Sequence, residues 1–125
     1  MSATYPNISL FTGDNAYLLE KTLALLIEDF TKKHGELNVA ILESENELTA
    51  NAIMSATKSA PFLAEKRLVI VKNFLTRGEE SDQAKMETRI DDIPDSSLVI
   101  FYEHPHSEKR RRGTPKIAQI LRKHA

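Results

Sequence analysis

The sequence of 125 residues contains no cysteine and only four glycines, and its net charge is −1. The lack of cysteine excludes disulfides and thiol chemistry, and it is typical of a reducing compartment. No apolar run approaches the roughly 20 residues that a membrane span needs, and the first residues lack the basic and apolar segments of a secretory signal. A net charge near zero gives no general attraction to nucleic acids or membranes. We therefore expect a cytoplasmic protein without membrane contact.

Hydrophobic residues make up 41% of the chain, which is enough for an ordinary globular core in a single domain, residues 1–125. Four segments rich in β-branched and aliphatic residues are typical of strands, and four with apolar residues at helical spacing are typical of helices. The predicted strands are residues 7–12, 38–43, 67–72 and 97–102. The predicted helices run from an N-cap at Asp14 or Asn15 to Gly35, from about Glu45 to Lys58, from Ser81 toward Ile90, and onward from Thr114-Pro115.

Strands and helices alternate along the whole chain, and the strands are apolar almost without interruption. Leu68-Val69-Ile70-Val71 is the clearest example, and such a run fits a strand buried on both faces. The sequence therefore predicts an α/β fold in which a parallel sheet is sandwiched by helices. Open sheets of this kind bind ligands at the carboxyl ends of their strands.

The residues at those carboxyl ends do not match a nucleotide site. A phosphate-binding loop needs several glycines, a lysine and a Ser/Thr, yet only Gly13 follows the first strand, and Asp14 would repel a phosphate. Lys72-Asn73 follows the third strand, where nucleotide hydrolases usually carry acidic residues. No nucleophile–base pair or carboxylate dyad is evident from spacing. We expect no catalytic residue and no cofactor, and an NTP-dependent enzyme is the alternative that these observations disfavour.

Two histidines follow the fourth strand. Glu103-His104 is a polar pair at the end of this strand, with His106 two residues on, and His104 with His106 could bind a metal. Two ligands beside a proline are a weak metal signal, because structural sites usually hold four. The simpler interpretation is that both histidines are solvated loop residues, and no metal site is predicted.

A basic cluster comes next, formed by Lys109, Arg110, Arg111 and Arg112. Such runs usually belong to a solvated loop. The cluster could instead contact DNA phosphates or an acidic partner. No aromatic residue lies between the arginines, which disfavours stacking on single-stranded bases.

An apolar pair, Phe62-Leu63, lies just before the third strand, behind Ala60 and Pro61. One interpretation is that both side chains cap the core between the second helix and the third strand. The other is that they are exposed on a rigid platform and anchor the domain in a partner's pocket. Residue spacing leaves both interpretations open.

Four segments together resemble the N-terminal domain of the delta subunit of bacterial DNA polymerase III, a clamp-loader subunit. Residues 10–20, LFTGDNAYLLE, are similar to the family's opening, a strand, a Gly-acidic turn and the pattern aromatic-Leu-Ile/Leu-Glu. Residues 61–71, PFLAEKRLVIV, resemble the family's Pro-Phe-Phe-Gly-Glu-Arg-Arg-Leu-Val-Val-Val. The remaining segments are residues 93–101, IPDSSLVIF, and residues 121–124, LRKH.

The resemblance implies a RecA-like domain of the AAA+ type that has lost its nucleotide site. It also implies that the domain binds the ring-shaped β sliding clamp and helps to open it. In the family an apolar wedge before the third strand enters a pocket on the clamp. The matching positions are Phe62 and Leu63, preceded by Ala60 and Pro61, although some members carry a larger apolar residue where Ala60 stands.

Members of the family continue into further domains that join the other clamp-loader subunits, so we expect this chain to be a fragment that reaches DNA only weakly or indirectly. A RecA-like sheet has a fifth strand beside the first. The sequence shows no such strand after the last predicted helix, and the first strand is therefore predicted to lie at an edge.

If the basic cluster contacts DNA, neutralising Lys109 to Arg112 together removes most of the affinity for DNA and flattens its dependence on salt. Each phosphate contact contributes about one unit to the slope of log affinity against log salt concentration. Fluorescence titrations of labelled duplex at several salt concentrations would measure both quantities. No retention of DNA by the unaltered protein even at low salt would discard the contact.

Overall fold

Four strands form one parallel sheet in the computed structural model, which describes residues 7–12 and 15–103. The strands are β1 (Ile8–Phe11), β2 (Val39–Leu42), β3 (Arg67–Lys72) and β4 (Ser97–Tyr102). Their order across the sheet is β1-β4-β3-β2, and all three neighbouring pairs are parallel. The predicted parallel α/β sheet is therefore confirmed. The predicted edge position of the first strand is also confirmed within the described residues.

The two central strands carry most of the pairing, and β3 is the most deeply buried element. Residues Leu68, Val69, Ile70 and Val71 are all 0% exposed. Leu68 and Ile70 pack on one side of the sheet, whereas Val69 and Val71 pack on the other. This alternation follows from the two-residue repeat of a strand, and it confirms the predicted burial on both faces.

In the described part of the chain, one helix covers the first face of the sheet. This helix, α1 (Ala16–His34), packs Leu23 and Phe30 against Leu68 and Ile70. It begins at Asn15, whose side chain accepts a hydrogen bond from the Leu18 amide, and it ends at Gly35. Gly35 has a φ of 90°, a conformation that favours glycine at the end of a helix. The predicted first helix is confirmed.

Within residues 15–103, three helices cover the second face: α2 (Ala50–Lys58), α3 (Phe74–Arg77) and α4 (Glu80–Arg89). Short 3₁₀ turns lie at Glu36–Asn38, Glu45–Glu47 and Ile90–Asp92. The second-face core includes large side chains from every helix on that side, among them Ile53, Phe74 and Met86. In the part of the chain that the structure describes, no helix is both long and apolar enough to cross a membrane.

The start of the second helix was predicted too early. A 3₁₀ turn occupies Glu45–Glu47, and the Glu47 carboxylate accepts hydrogen bonds from the Glu43 and Ser44 amides. Ser44 and Glu47 thus form a capping box that belongs to the 3₁₀ turn and not to α2. The helix begins again at Thr49, whose hydroxyl accepts from the Ala52 amide, and it ends at Lys58 as predicted.

The third predicted helix was also displaced, since Ser81 lies inside α4 and Glu79 is its N-cap. The carbonyl of Glu79 accepts the first helical bond, from the Gln83 amide at 3.0 Å. Acidic residues in the first turn, Glu80 and Asp82, suit the positive end of the helix dipole. The helix predicted from Thr114-Pro115 lies outside the described residues.

Gly78 has no room for a side chain between α3 and α4. A Cβ there would lie 2.6 Å from the carbonyl oxygen of Phe74 and 2.7 Å from its ring. That oxygen already accepts the Gly78 amide at 2.8 Å, so the backbone is fixed.

Gly78→Ala is therefore expected to lower the free energy of unfolding by about 1–3 kcal/mol through overpacking. Urea denaturation would measure the change. Lys85→Ala, an exposed substitution on α4, is the control and should change stability by less than about 0.5 kcal/mol. A Gly78→Ala protein as stable as the unaltered one would contradict the prediction.

Candidate functional site

At the carboxyl edge of the sheet, the side chain after β4 has a structural task. Glu103 is 8% exposed, and its carboxylate accepts hydrogen bonds from the Leu75 amide and the Thr76 hydroxyl, both at 2.9 Å. These donors lie in the first turn of α3. Glu103 therefore caps α3, although it lies 28 residues beyond Leu75 along the chain.

Burial raises the pKa of Glu103 to about 7, and the hydrogen bonds from Leu75 and Thr76 oppose that rise only in part. The cause is desolvation, which disfavours the charged form of a buried carboxylate. Glu103 was considered from the sequence as a partner of His104. His104 and His106 lie outside the described residues. Both carboxylate oxygens of Glu103 are engaged by α3.

The other edge of the sheet carries the apolar pair. Residues 59–66, the wedge loop, connect α2 to the amino end of β3. Within this loop Leu63 is 89% exposed and Phe62 is 57% exposed. Ala60 is also exposed, and Pro61 is half-buried. Phe62 and Leu63, here called the apolar wedge, are therefore exposed and do not cap the core, while their role as an anchor stays a prediction.

Leu63 differs from the other exposed apolar residues in its backbone. Its φ is 55°, in the left-handed region that non-glycine residues rarely adopt. This conformation costs an L-residue about 1–2 kcal/mol. Other large apolar side chains are exposed in the described residues, namely Tyr17, Leu18, Leu25, Leu37 and Ile41. None of them has a positive φ, so exposure and backbone strain coincide at Leu63 alone among these residues.

The two ends of the wedge loop are fixed to the core. The hydroxyl of Ser97, at the start of β4, donates to the carbonyl of Thr57. The Arg67 side chain donates to the carbonyl of Ala56 at 2.9 Å. Lys66 donates to the carbonyl of Asp95 at 3.0 Å. The end of α2 and the start of β3 therefore form a rigid base for the loop.

The middle of the loop is held by one buried side chain that sequence reasoning missed. Asn38 is 1% exposed. Its Oδ1 accepts the Phe62 amide at 2.6 Å, and its Nδ2 donates to the Phe62 carbonyl at 2.9 Å. The same Nδ2 donates to the His34 carbonyl at 2.7 Å. In the sequence Asn38 was read only as the start of the second strand, and no local pattern indicates a partner 24 residues away.

Comparison with known proteins assigns the chain to a family. A family model described as DNA polymerase III, delta subunit, matches residues 10–125. The chain belongs to this family. The resemblance inferred from the sequence is therefore confirmed, and the family places the chain in DNA replication.

Two relatives from Bacillus subtilis show how much of a delta subunit this chain represents. The DNA polymerase III subunit delta of strain 168 is 28% identical over 124 residues, covering 90% of this chain and 34% of the relative. The solved structure of the Bacillus subtilis DNA clamp loader delta protein has a TM-score of 0.65 at 22% identity, covering 98% of this chain and 37% of that one. The chain thus spans about a third of the length of both relatives. The structural likeness supports the predicted RecA-like, AAA+-type fold.

The basic cluster, residues 109–112, lies outside the described residues of this delta-subunit chain. The DNA contact considered for it therefore stays a prediction. The apolar wedge, by contrast, lies wholly inside the described residues.

The raised pKa of Glu103 predicts that part of the protein's stability is lost as the pH rises. The folded form holds the proton more tightly than the unfolded chain, whose carboxyl has a pKa near 4.5. This contribution is therefore fully present below about pH 4.5 and disappears as the pH passes through about 7. A shift of this size corresponds to at most about 3 kcal/mol.

Glu103→Gln keeps a neutral side chain of the same shape, so its stability should not show this loss. The difference in unfolding free energy between Glu103→Gln and the unaltered protein should grow in favour of the variant between pH 5 and pH 8. Urea denaturation at several pH values would measure it, and other titrating groups cancel in the difference. A difference that does not change with pH would show that Glu103 titrates normally.

Proposed function

We propose that this delta-subunit domain binds the β sliding clamp of DNA replication by inserting the apolar wedge into a pocket on the clamp. In this proposal the contact helps to open the ring so that it can be loaded onto primed DNA. The domain acts by binding a protein, and it carries out no reaction itself.

The observation that carries the proposal is the exposure of two adjacent large apolar side chains on an anchored loop. Phe62 and Leu63 are 57% and 89% exposed, at the amino edge of a sheet whose third strand is buried on both faces. Burying one such side chain in a partner contributes about 1.5–3 kcal/mol. In protein interfaces a few side chains that fill pockets near the centre carry most of the binding energy.

The chemistry of the loop also suits a protein partner better than a small ligand. The wedge projects outward, whereas small-molecule sites are concave. Two charged residues, Glu65 and Lys66, follow the wedge after a single alanine. An apolar centre with a polar rim is the usual anatomy of a protein interface.

Replacing Phe62 and Leu63 together by alanine is expected to weaken binding of purified clamp at least 100-fold, which corresponds to about 2.7 kcal/mol. Both side chains are largely exposed, so the domain should remain folded with nearly unchanged stability. Isothermal titration of the clamp into the protein would give the affinity, and thermal unfolding would report the stability.

The matched control replaces Leu18 and Leu25, which are 55% and 53% exposed on α1, by alanine. This variant removes a similar apolar area from another surface and should bind the clamp normally. Unchanged affinity in the wedge variant would overturn the proposal, as would an equal loss of affinity in both variants.

A further inference from the structure

The Asn38 side chain holds the backbone of the apolar wedge in place. Asn38 exchanges two hydrogen bonds with Phe62, one to its amide and one to its carbonyl. We infer that Asn38 is a positioning residue that holds the wedge in its binding-competent conformation before the partner arrives. This inference rests on the proposed function and adds to it a residue that does not itself belong to the exposed contact surface.

The pairing needs an amide side chain. An asparagine offers a donor and an acceptor side by side, so that it can pair with both polar groups of one peptide backbone residue. An aspartate would keep the acceptor for the Phe62 amide but would lose the donor for the Phe62 and His34 carbonyls. An alanine would lose both.

The Asn38 side chain also connects the wedge to the end of α1. The side-chain Nδ2 of Asn38 donates to the carbonyl of His34, the last residue of α1. The backbone N–H of Asn38 donates to the Gly35 carbonyl at 3.1 Å. Helix ends leave carbonyl groups without partners inside the helix. One side chain therefore caps α1 and fixes Phe62, so the loop is tied to the helix that covers the first face of the sheet.

The residue after Phe62 explains why such a hold is needed. Leu63 has a φ of 55°, a conformation that an L-residue leaves when the chain around it is free. The base of the loop is fixed at Thr57 and Arg67, several residues away from the wedge on either side. A wedge released from Asn38 would sample other conformations and would have to be ordered again on binding, which lowers affinity.

We expect Asn38→Ala to weaken binding of purified β clamp about tenfold while leaving every wedge side chain in place. A double-mutant cycle separates this positioning role from a general loss of stability. In a protein that already carries Phe62→Ala and Leu63→Ala, adding Asn38→Ala should cause no further loss of clamp affinity.

Asn7→Ala is the matched control, since Asn7 also donates two side-chain hydrogen bonds to backbone carbonyls, those of Pro94 and Ser97. It touches no residue of the wedge loop in those bonds. It should lower stability by an amount similar to Asn38→Ala and leave clamp affinity unchanged. A similar loss of affinity in Asn7→Ala and Asn38→Ala would overturn the inference.

Failure of the inference is distinct from failure of the proposed function. If the double wedge variant loses binding of the sliding clamp and Asn38→Ala binds it normally, the positioning role of Asn38 is wrong and the proposed function stands. If the double wedge variant binds normally, the proposed function is wrong.

Hydrogen exchange in the unaltered protein tests the Asn38–Phe62 hydrogen bond without any variant. The Phe62 amide should exchange slowly, although its own side chain is exposed, because Asn38 accepts it at 2.6 Å. Fast exchange at Phe62 would overturn the inference even if Asn38→Ala failed to fold.

Discussion

The burial of β3 on both faces is the constraint on which the other features depend. Four successive residues, Leu68 to Val71, are fully buried, and β3 pairs with β2 on one side and β4 on the other. The charged residues Arg67 and Lys72 bound this buried stretch, so a shift of one residue in either direction would place a charged side chain at a fully buried position, which is costly. Whatever is attached to either end of β3 is therefore held at a fixed place relative to the sheet.

The two ends of β3 are used differently. At the carboxyl end, Asn73 adopts a left-handed conformation and begins α3, whose first turn is capped by Glu103. Functional groups are common at this edge of open parallel sheets, yet Glu103 is occupied in holding α3. At the amino end the wedge loop projects Phe62 and Leu63 into solvent. The exposed apolar wedge thus lies at the end of the strands opposite to the one where ligands of such sheets usually bind.

Local sequence patterns predicted the parts of this fold that depend on local physics. The bounds of β3 and β4, the end of α1 at Gly35 and the end of α2 at Lys58 follow from apolar runs, a glycine and a helix stop signal close by. The helix α3 could not be predicted, because its cap, Glu103, is distant in sequence. Asn38 was missed for the same reason. For the apolar wedge, the sequence supplied the residues but left open whether they were buried, since exposure depends on packing across the whole domain.

The wedge loop combines two features that are each unfavourable in the free protein, an exposed apolar side chain and a strained backbone. An exposed apolar side chain at a positive φ is unfavourable in solution on both counts, since Leu63 gains nothing from burial and bears backbone strain. The loop persists because Ser97 and Arg67 fix its base and Asn38 fixes Phe62. Strain that is held by fixed contacts in the free protein need not be introduced on binding. The free-energy cost of forming the wedge is thereby offset during folding. A partner that buries Leu63 would then gain the free energy of apolar burial without a further cost of ordering the loop.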